Sequence, residues 1–522
     1  MKILFVYPNK EMVPRIPTGI GYLSAHLKKA GHHVELFDTT FMKCGDSLSG
    51  DDNLRAASLQ VVNPDLSKYK IIEEDVNVFE EFDKKIMEFK PDIVGISLTD
   101  PNYEFGLKLL EYMKERHEIK TIAGGCVTTF ISDEVLSNSC IDMICIGEGE
   151  EAFVELIEAL ENKKDHKKIK NLWVKENGEI YKNPLRPLQD INEILPPDLS
   201  IFDERHFIRP LGGNMFKMST PMWTRGCLFN CKYCGNSSFI NIYSGLGRFY
   251  RIKDPKLIIK QLVDEKKKYN FEFFFFHDDI FPLHVPEIID EFCKLYKEQV
   301  GLPFSINLQP SLVTEESLAK VIDAGCVNVC IGLESGSPEI RRNILGRHYD
   351  NEQIVKVFNI AHKYKIRCSS FNMIGLPSET REDIFKTIEL NRQANPTSAT
   401  LTFFHPYRGC ELRNLCIKEK YFDPTKNNQD KKEGGVYRSN SNLNLPQISN
   451  KELQTLFQNF QLYFKLPKEF WPLIELSEKE GDFSKYLREE ILKPAFKYVT
   501  RNESIWDFSK MIQRINSRQN LD

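Results

Sequence analysis

Long apolar runs are missing from this chain. No stretch of its 522 residues approaches the ~18 consecutive apolar positions of a membrane-spanning helix, so no transmembrane segment is expected. A surplus of either charge is missing too: 70 Lys and Arg stand against 74 Asp and Glu, a net charge of −4. That balance gives no field to gather nucleic acid or an anionic membrane, and neither is expected as a partner. No export signal is visible, because the apolar start Ile3-Leu4-Phe5-Val6-Tyr7 is cut off at once by Pro8-Asn9-Lys10-Glu11. Thirteen cysteines, an odd number in a chain without such a signal, point to reduced thiols and a cytoplasmic setting rather than to a disulfide framework.

What is present is a regular alternation. The length allows about three domains at one per 100–200 residues. Over residues 1–162, strand signals at Ile3–Tyr7, Val34–Phe37, Ile93–Leu98, Thr121–Ala123 and Met143–Ile146 alternate with helical spacings. Examples are Ile20, Leu23 and Leu27; Phe105, Leu109 and Met113; and Phe153, Leu156 and Leu160. The rhythm predicts an α/β domain with a doubly wound parallel sheet, whose ligands bind at the carboxyl ends of the strands. Segment 39–90 reads as an insertion, polar over 45–53 and helical through Val78, Phe82, Ile86 and Phe89. Residues 163–209, with prolines at 184, 187, 196 and 197, read as a linker.

Residues 210–425 repeat a strand-then-helix unit, with strands expected at Met218–Thr224, Phe273–Phe276, Phe304–Leu308, Val327–Leu333, Ile366–Ile374 and Ala399–Phe404. Six such units predict a partial (β/α)6 TIM-type barrel with its chemistry at the C-terminal mouth. The remainder, 426–522, reads as a polar linker followed by a helical cap, with Leu453, Leu456, Phe457, Phe460 and Phe464 on one face and further helices over 469–517.

The sharpest chemical signal follows the first barrel strand: Cys227, Cys231 and Cys234, spaced C-x3-C-x2-C. Three thiolates on one loop select a soft metal centre. A structural zinc would want a fourth close Cys or His, and the next cysteine is Cys293. A cubane iron–sulfur cluster with one open iron therefore fits best; zinc, or three cysteines that are merely small buried residues, are the other readings.

With Tyr233 just before the last cysteine, this motif resembles that of the radical S-adenosylmethionine (SAM) enzymes, and later motifs fall in the family's order. His277-Asp278-Asp279 stands where the family has a Gly-Gly-Glu-like turn for the SAM amino group; the alternative for Asp278 is a helix N-cap. Gly332-Leu333-Glu334-Ser335-Gly336-Ser337 resembles the motif whose glutamate and serine approach the ribose and methionine of SAM, and Met373-Ile374-Gly375-Leu376-Pro377 the one that lies on adenine. Arg342 and Arg347 are candidates to neutralise the SAM carboxylate, with surface arginines as the bland alternative. The resemblance thus implies a [4Fe–4S] cluster on Cys227, Cys231 and Cys234, and SAM contacts from Tyr233, Asp278, Glu334, Ser335, Arg347 and Gly375. Asn307 stands where many relatives carry an arginine, and His405 and Tyr407 are placed to reach a substrate.

The first domain resembles the cobalamin-binding domain of one radical SAM subfamily, through Pro17-Thr18-Gly19, Gly31-His32-His33-Val34-Glu35, Gly124-Gly125 and Gly147-Glu148-Gly149-Glu150. The implied cobalamin contacts are Thr18, Gly19, Ser97, Thr99, Gly124, Gly125, Gly147 and Glu148. No Asp-x-His-x-x-Gly occurs, so the cobalt is expected without a protein histidine, and Cys126-Val127 replaces the common Pro-His. The resemblance implies an enzyme that cleaves SAM to a 5′-deoxyadenosyl radical and delivers a methyl group to an unactivated carbon or a phosphorus centre of a small-molecule or peptide substrate. Its electrons are expected from an external flavodoxin- or ferredoxin-type donor. The runner-up is a cyclase or oxidase without methyl transfer. A tRNA methylthiotransferase would want a second cysteine triad and a C-terminal β domain, and a non-catalytic sensor would want a partner domain; neither is seen.

Overall fold

The computed structural model describes all residues except 11, 13–14, 45–54, 63, 426–439 and 501–522. The expected polar loop over 45–53, the middle of the 423–448 stretch and the helices expected over 501–517 therefore lie outside the described residues.

The first layer is a seven-stranded sheet in the order β2-β1-β3-β4-β5-β6-β7. Its parallel strands are β1 (Lys2–Tyr7), β2 (His33–Asp38), β3 (Ile93–Ser97), β4 (Lys120–Gly124) and β5 (Met143–Cys145). Both faces are covered, as the continuous apolar strands require. Leu4, Val6, Val94 and Ile96 meet the helices Val78–Phe89 and Tyr103–Lys114 on one side. Ile3, Phe5, Ile93 and Ile122 meet Thr18–Lys29 and Glu150–Glu161 on the other. The insertion does hold a helix, Val78–Phe89, whose start is fixed by Asn77 accepting from Phe79 N, a cap worth about 1 kcal/mol.

The stretch expected as a linker is not one throughout. β6 (Leu172–Glu176) adds antiparallel to β5, and β7 (Glu179–Lys182) closes a hairpin on it. The first sheet therefore runs to Lys182. Its β5 would otherwise be a short apolar edge, which β6 covers.

The second sheet has the order β16-β15-β14-β13-β12-β9-β8. β9 (Asn214–Ser219), β12 (Phe273–Phe275), β13 (Phe304–Leu308), β14 (Cys326–Glu334), β15 (Arg367–Ile374) and β16 (Ser398–Phe403) are parallel, and β8 (Ile208–Leu211) adds antiparallel at the edge. This is the expected partial barrel, displaced at one strand: β9 ends at Ser219, and Thr224–Arg225 pairs instead with Arg251–Ile252 as a short ribbon of β10 and β11. Helices cover the outer face, where Phe274, Phe276, Ile306, Val329 and Ile331 share one core with Ile258, Leu262, Phe292 and Phe358.

The helix Asn450–Lys465 buries Leu453, Leu456, Phe457, Phe460 and Phe464, as its periodicity predicts, in a core with Ile374, Leu401 and Phe403. It also protects the edge of β16. Gln461 donates to the Ala399 carbonyl at 2.6 Å, and Leu401 N donates to Gln60 Oε1 at 2.9 Å. Those side chains occupy backbone groups that an open edge would offer to another strand. No helix among the described residues is long and apolar enough to cross a membrane.

Candidate functional site

The three motif cysteines sit on one loop at the C-terminal mouth of the barrel, all with free thiols. The loop is strapped at both sides: Lys232 N donates to the Leu345 carbonyl at 3.1 Å, and Leu412 N donates to the Lys232 carbonyl at 2.9 Å. Gly226 starts it at φ +80°, where a Cβ would meet the Phe249 carbonyl at 2.5 Å. Phe229 N points at Cys227 Sγ (3.5 Å) and Arg347 Nε at Cys231 Sγ (3.4 Å), donors suited to sulfur that carries negative charge. Burial pushes the Cys227 thiol up to about 12 and Cys234 to about 11, a penalty that a cationic metal reverses. The donor chemistry fits an iron–sulfur cluster.

Asp278 is not the helix N-cap offered as its alternative role. Its Oδ1 accepts from Trp223 N (2.8 Å), Thr224 N (2.5 Å) and Thr224 Oγ1 (2.8 Å), so it anchors the backbone that leads into the cysteine loop. It caps no helix, since the next one starts at Pro286 behind Val285. Its Oδ2 is buried without a partner, and burial raises the group to about 7. Asp279 is the exposed carboxylate at this turn, beside Asn236.

Glu334 ends the fully buried β14 at φ +67°, where the β14–β15 register shifts between Gly332 and Glu334. Such a bulge re-aims a side chain. Tyr233 Oη donates to Glu334 Oε1 at 3.2 Å, and Arg347 Nη1 lies 3.3 Å from the same oxygen. Arg347 also donates to the Gly332 carbonyl (3.1 Å) and Tyr349 Oη (2.7 Å). Burial raises Glu334, Arg347 and the Tyr233 bond opposing it. A Cβ on Gly332 would meet Glu334 Oε1 at 2.5 Å and Arg347 Nη1 at 2.7 Å, so a side chain there would push this pair aside. Of the two candidate arginines, Arg347 is thus enclosed at the mouth, whereas Arg342 is exposed.

Ser335 and Gly375 have structural partners. Ser335 is fully buried, its Oγ accepting from Ser337 N at 3.3 Å and its carbonyl from Arg341 Nη1 at 2.7 Å. Gly336 lies so close to the Lys386 carbonyl that any Cβ would collide. Gly375, at φ +75°, donates its NH to Glu379 Oε2 at 2.7 Å.

The second feature is a cleft of about 280 Å³ at the carboxyl ends of the first sheet, lined by Gly19, Ser97, Gly124, Gly125, Gly147 and Glu148. That is at the low end of the range for small-molecule sites. Cβ atoms on Gly19 or Gly124 would meet nothing within 4 Å, so both glycines leave room for a ligand. Gly125 does not: at φ +102° its Cβ would meet the Leu98 carbonyl at 2.5 Å. Two expected contacts fall outside the lining. Thr18 Oγ1 donates to the Ile16 carbonyl (3.2 Å), and Thr99 is held in a capping box with Asn102. No histidine is among the residues lining the cleft, in keeping with a cobalt free of protein histidine.

Residues 222–390 match the radical SAM superfamily, and residues 15–157 match the B12 binding domain. The chain belongs to the cobalamin-binding radical SAM enzymes. It is 26% identical over 427 residues to an uncharacterized methyltransferase of Pyrococcus horikoshii, covering 80% of this chain and 83% of the relative. It is 26% identical over 446 residues to the anaerobic magnesium-protoporphyrin IX monomethyl ester cyclase of Rubrivivax gelatinosus, covering 82% and 72%. It shares the fold of the radical SAM methyltransferase TsrM of Kitasatospora setae, with a TM-score of 0.59, 16% identity, and 80% and 75% of the two chains covered.

The cofactors of this radical SAM enzyme are a [4Fe–4S] cluster, SAM and cobalamin. Sequence reasoning missed the residues that join their sites. Met222 and Arg225, which lead into the cysteine loop, form part of the cleft lining. Arg225 pairs with Glu150 at 2.5 Å and Glu148 at 3.3 Å, and Arg251 also pairs with Glu148. Glu148 N donates to Tyr243 Oη at 2.7 Å. The glutamates were visible as a Gly-Glu-Gly-Glu turn; their partners, on another domain, carried no signal.

Proposed function

We propose that this enzyme transfers a methyl group to an unactivated carbon, or to a phosphorus centre, of a small-molecule or peptide substrate. The observation that carries the reading is the shared wall: Arg225 lines the cobalamin cleft and stands two residues before Cys227. A substrate at the barrel mouth would therefore lie between a radical source and a methyl carrier. The bound cofactors supply the difficult chemistry, one-electron cleavage of SAM and carriage of a methyl group, while the protein places them and excludes water.

In this reading Cys227, Cys231 and Cys234 hold the cluster and leave one iron to SAM. Glu334, held by Tyr233 and Arg347, accepts from the ribose hydroxyls, by the logic of carboxylates in dinucleotide sites. The Gly375 turn approaches adenine. Asp279 and the Asp278 carbonyl are the acceptors for the SAM ammonium, replacing the Asp278 carboxylate. Gly19, Ser97, Gly124, Gly147 and Glu148 border cobalamin. An external flavodoxin- or ferredoxin-type protein supplies the electron.

The similarity to the cyclase, at the same 26% identity, favours ring closure or oxidation as the second reading. One measurement separates the two. Anaerobically reconstituted protein with cobalamin, SAM and strong reductant should form both S-adenosylhomocysteine and 5′-deoxyadenosine. Formation of 5′-deoxyadenosine alone would move the assignment to the cyclase type.

A further inference from the structure

Alternation along the barrel strands fixes which side chains face inward. Phe274 and Phe276 point into the core under the helices. Phe273 lies on the other face with Phe216, Met218 and Val327, and Phe275 borders that cluster. His277 continues the inward set, its ring edge-on to Phe275 at 4.9 Å. Arg209 of β8 stands opposite Phe216 in the antiparallel register, two residues before Leu211, which borders the same inner cluster. Arg209 and His277 therefore share the concave face, beside the mouth.

Among the described residues Arg209 has no anionic partner. Its Nη1 is buried without a hydrogen-bond partner, and among the described residues no carboxylate pairs with it. The charge that reaches it is cationic: burial, then Arg15, lowers its pKa to about 10. Burial, then Arg209 and Arg15, lowers His277 to about 3. Arg367, also on the concave face, shows the contrast, since its guanidinium donates to Asn328 Oδ1 (3.1 Å), Ser369 Oγ (2.5 Å) and Ser398 Oγ (2.9 Å). A guanidinium whose Nη1 is shielded from water and which is set beside a second arginine is costly unless an anion completes it. Phe275 and Phe371 are the apolar rings of this face, and Phe371 is partly open, 37% exposed.

We propose that Arg209, flanked by Arg15 and His277, anchors an anionic group, a carboxylate or a phosphate, on a substrate whose apolar body lies toward Phe275 and Phe371. A planar guanidinium matches either oxyanion with two parallel hydrogen bonds. The proposal rests on the reading of the barrel mouth as the substrate site and adds the substrate's chemical class to it.

The test uses the full chain, anaerobically reconstituted, with 8-anilinonaphthalene-1-sulfonate as a fluorescent apolar anion. Binding should saturate, and 1-naphthoate or 1-naphthyl phosphate should displace the probe while neutral 1-naphthalenemethanol does not; the stronger competitor identifies the anion. Arg209→Gln should weaken the probe at least tenfold, and Arg209→Lys should restore it to within threefold. Equal displacement by the neutral alcohol, or unchanged probe affinity in Arg209→Gln, overturns the proposal. So does a tenfold loss of SAM affinity with the probe unaffected, which would assign Arg209 to the SAM carboxylate. The competitor series needs no variant, so it decides even where Arg209→Gln fails to fold. Iron content and 5′-deoxyadenosine formation of the unaltered protein are measured on the same preparations; their absence would sink the radical SAM reading and leave the anion result standing.

Discussion

Arg225 Nη2 lies 2.5 Å from the Glu150 carboxylate, so the residue before the glycine of the cysteine loop is ion-paired to the last acid of the turn that borders the cobalamin cleft. Burial alone would raise the Glu150 pKa; the Arg225 charge, its hydrogen bond and the Glu150 backbone NH together outweigh burial and hold the carboxyl below its ordinary range. The two sheets have distinct core clusters, joined where Leu36 and Ile201 pack against one of each, and this ion pair joins the cleft to the cysteine loop as well.

The two glycines at and just after the end of β4 give the cleft a clean test. Gly124 faces open space, whereas Gly125 combines a positive φ with a clash against the Leu98 carbonyl. Gly124→Leu should fold with a thermal midpoint near the wild type and lose cobalamin on desalting. Gly125→Leu should instead lose stability, by about 1–3 kcal/mol from backbone strain alone. Full cobalamin retention by Gly124→Leu would move the site elsewhere.

Glu334 tests the SAM assignment. Glu334→Gln keeps an acceptor for Tyr233 Oη, 3.2 Å away, and removes the charge offered to the ribose. Loss of a hydrogen bond to a charged group costs about 1.5–3 kcal/mol, so SAM affinity measured by equilibrium dialysis should fall roughly ten- to hundredfold while iron content stays unchanged. Unaltered SAM affinity would refute the ribose role.

Much of this was legible because the signals are contiguous. The cysteine spacing is local, and the barrel strands are apolar runs that appear within about three residues of their expected ends, except where β9 stops short at Ser219. Strand parity even carried the Asp278 result. Phe274 and Phe276 face the outer core, so Asp278, two residues on, falls on that buried side, and Asp279 on the side of Phe275 and His277. The β6–β7 hairpin was hidden by the prolines and polar residues that follow it. Arg225 with Glu150, 75 residues apart, and Gln60 with Leu401, 341 apart, are tertiary pairings with no local pattern to announce them.

Glu379 predicts a pH dependence. It is fully buried under the Gly375 turn, and burial outweighs the Leu376 and Gly375 NH bonds to push it up to about 8 from 4.5. A carboxyl raised on folding binds its proton more tightly in the native state. Its contribution to stability is therefore present below pH 4.5 and is lost as pH rises toward 8. Glu379→Gln cannot ionise, so its thermal midpoint should fall less than that of the wild type between pH 5 and pH 8. Parallel profiles for the two proteins would show that Glu379 is ionised in the native state.

The last prediction separates the two cofactors by the residues that hold each. None of the three cysteines lines the cleft, whereas Arg225 does. Cys231→Ala should drop iron from about four per chain toward zero and abolish 5′-deoxyadenosine formation, yet retain cobalamin. Arg225→Gln should do the reverse: the cysteines remain and iron stays bound, but the cleft loses a wall residue and Glu150 is left buried without its nearest cation. Breaking such a pair costs about 3–5 kcal/mol, read as a lower thermal midpoint and weaker cobalamin retention. Adding Glu150→Gln removes the stranded charge and should recover most of the stability, since the two changes act on one interaction. It should not recover cobalamin, because the Arg225 side chain is still missing from the wall. If the double variant regains both, Arg225 acts on cobalamin only through the fold; if Cys231→Ala loses cobalamin as well, the two sites are not separable.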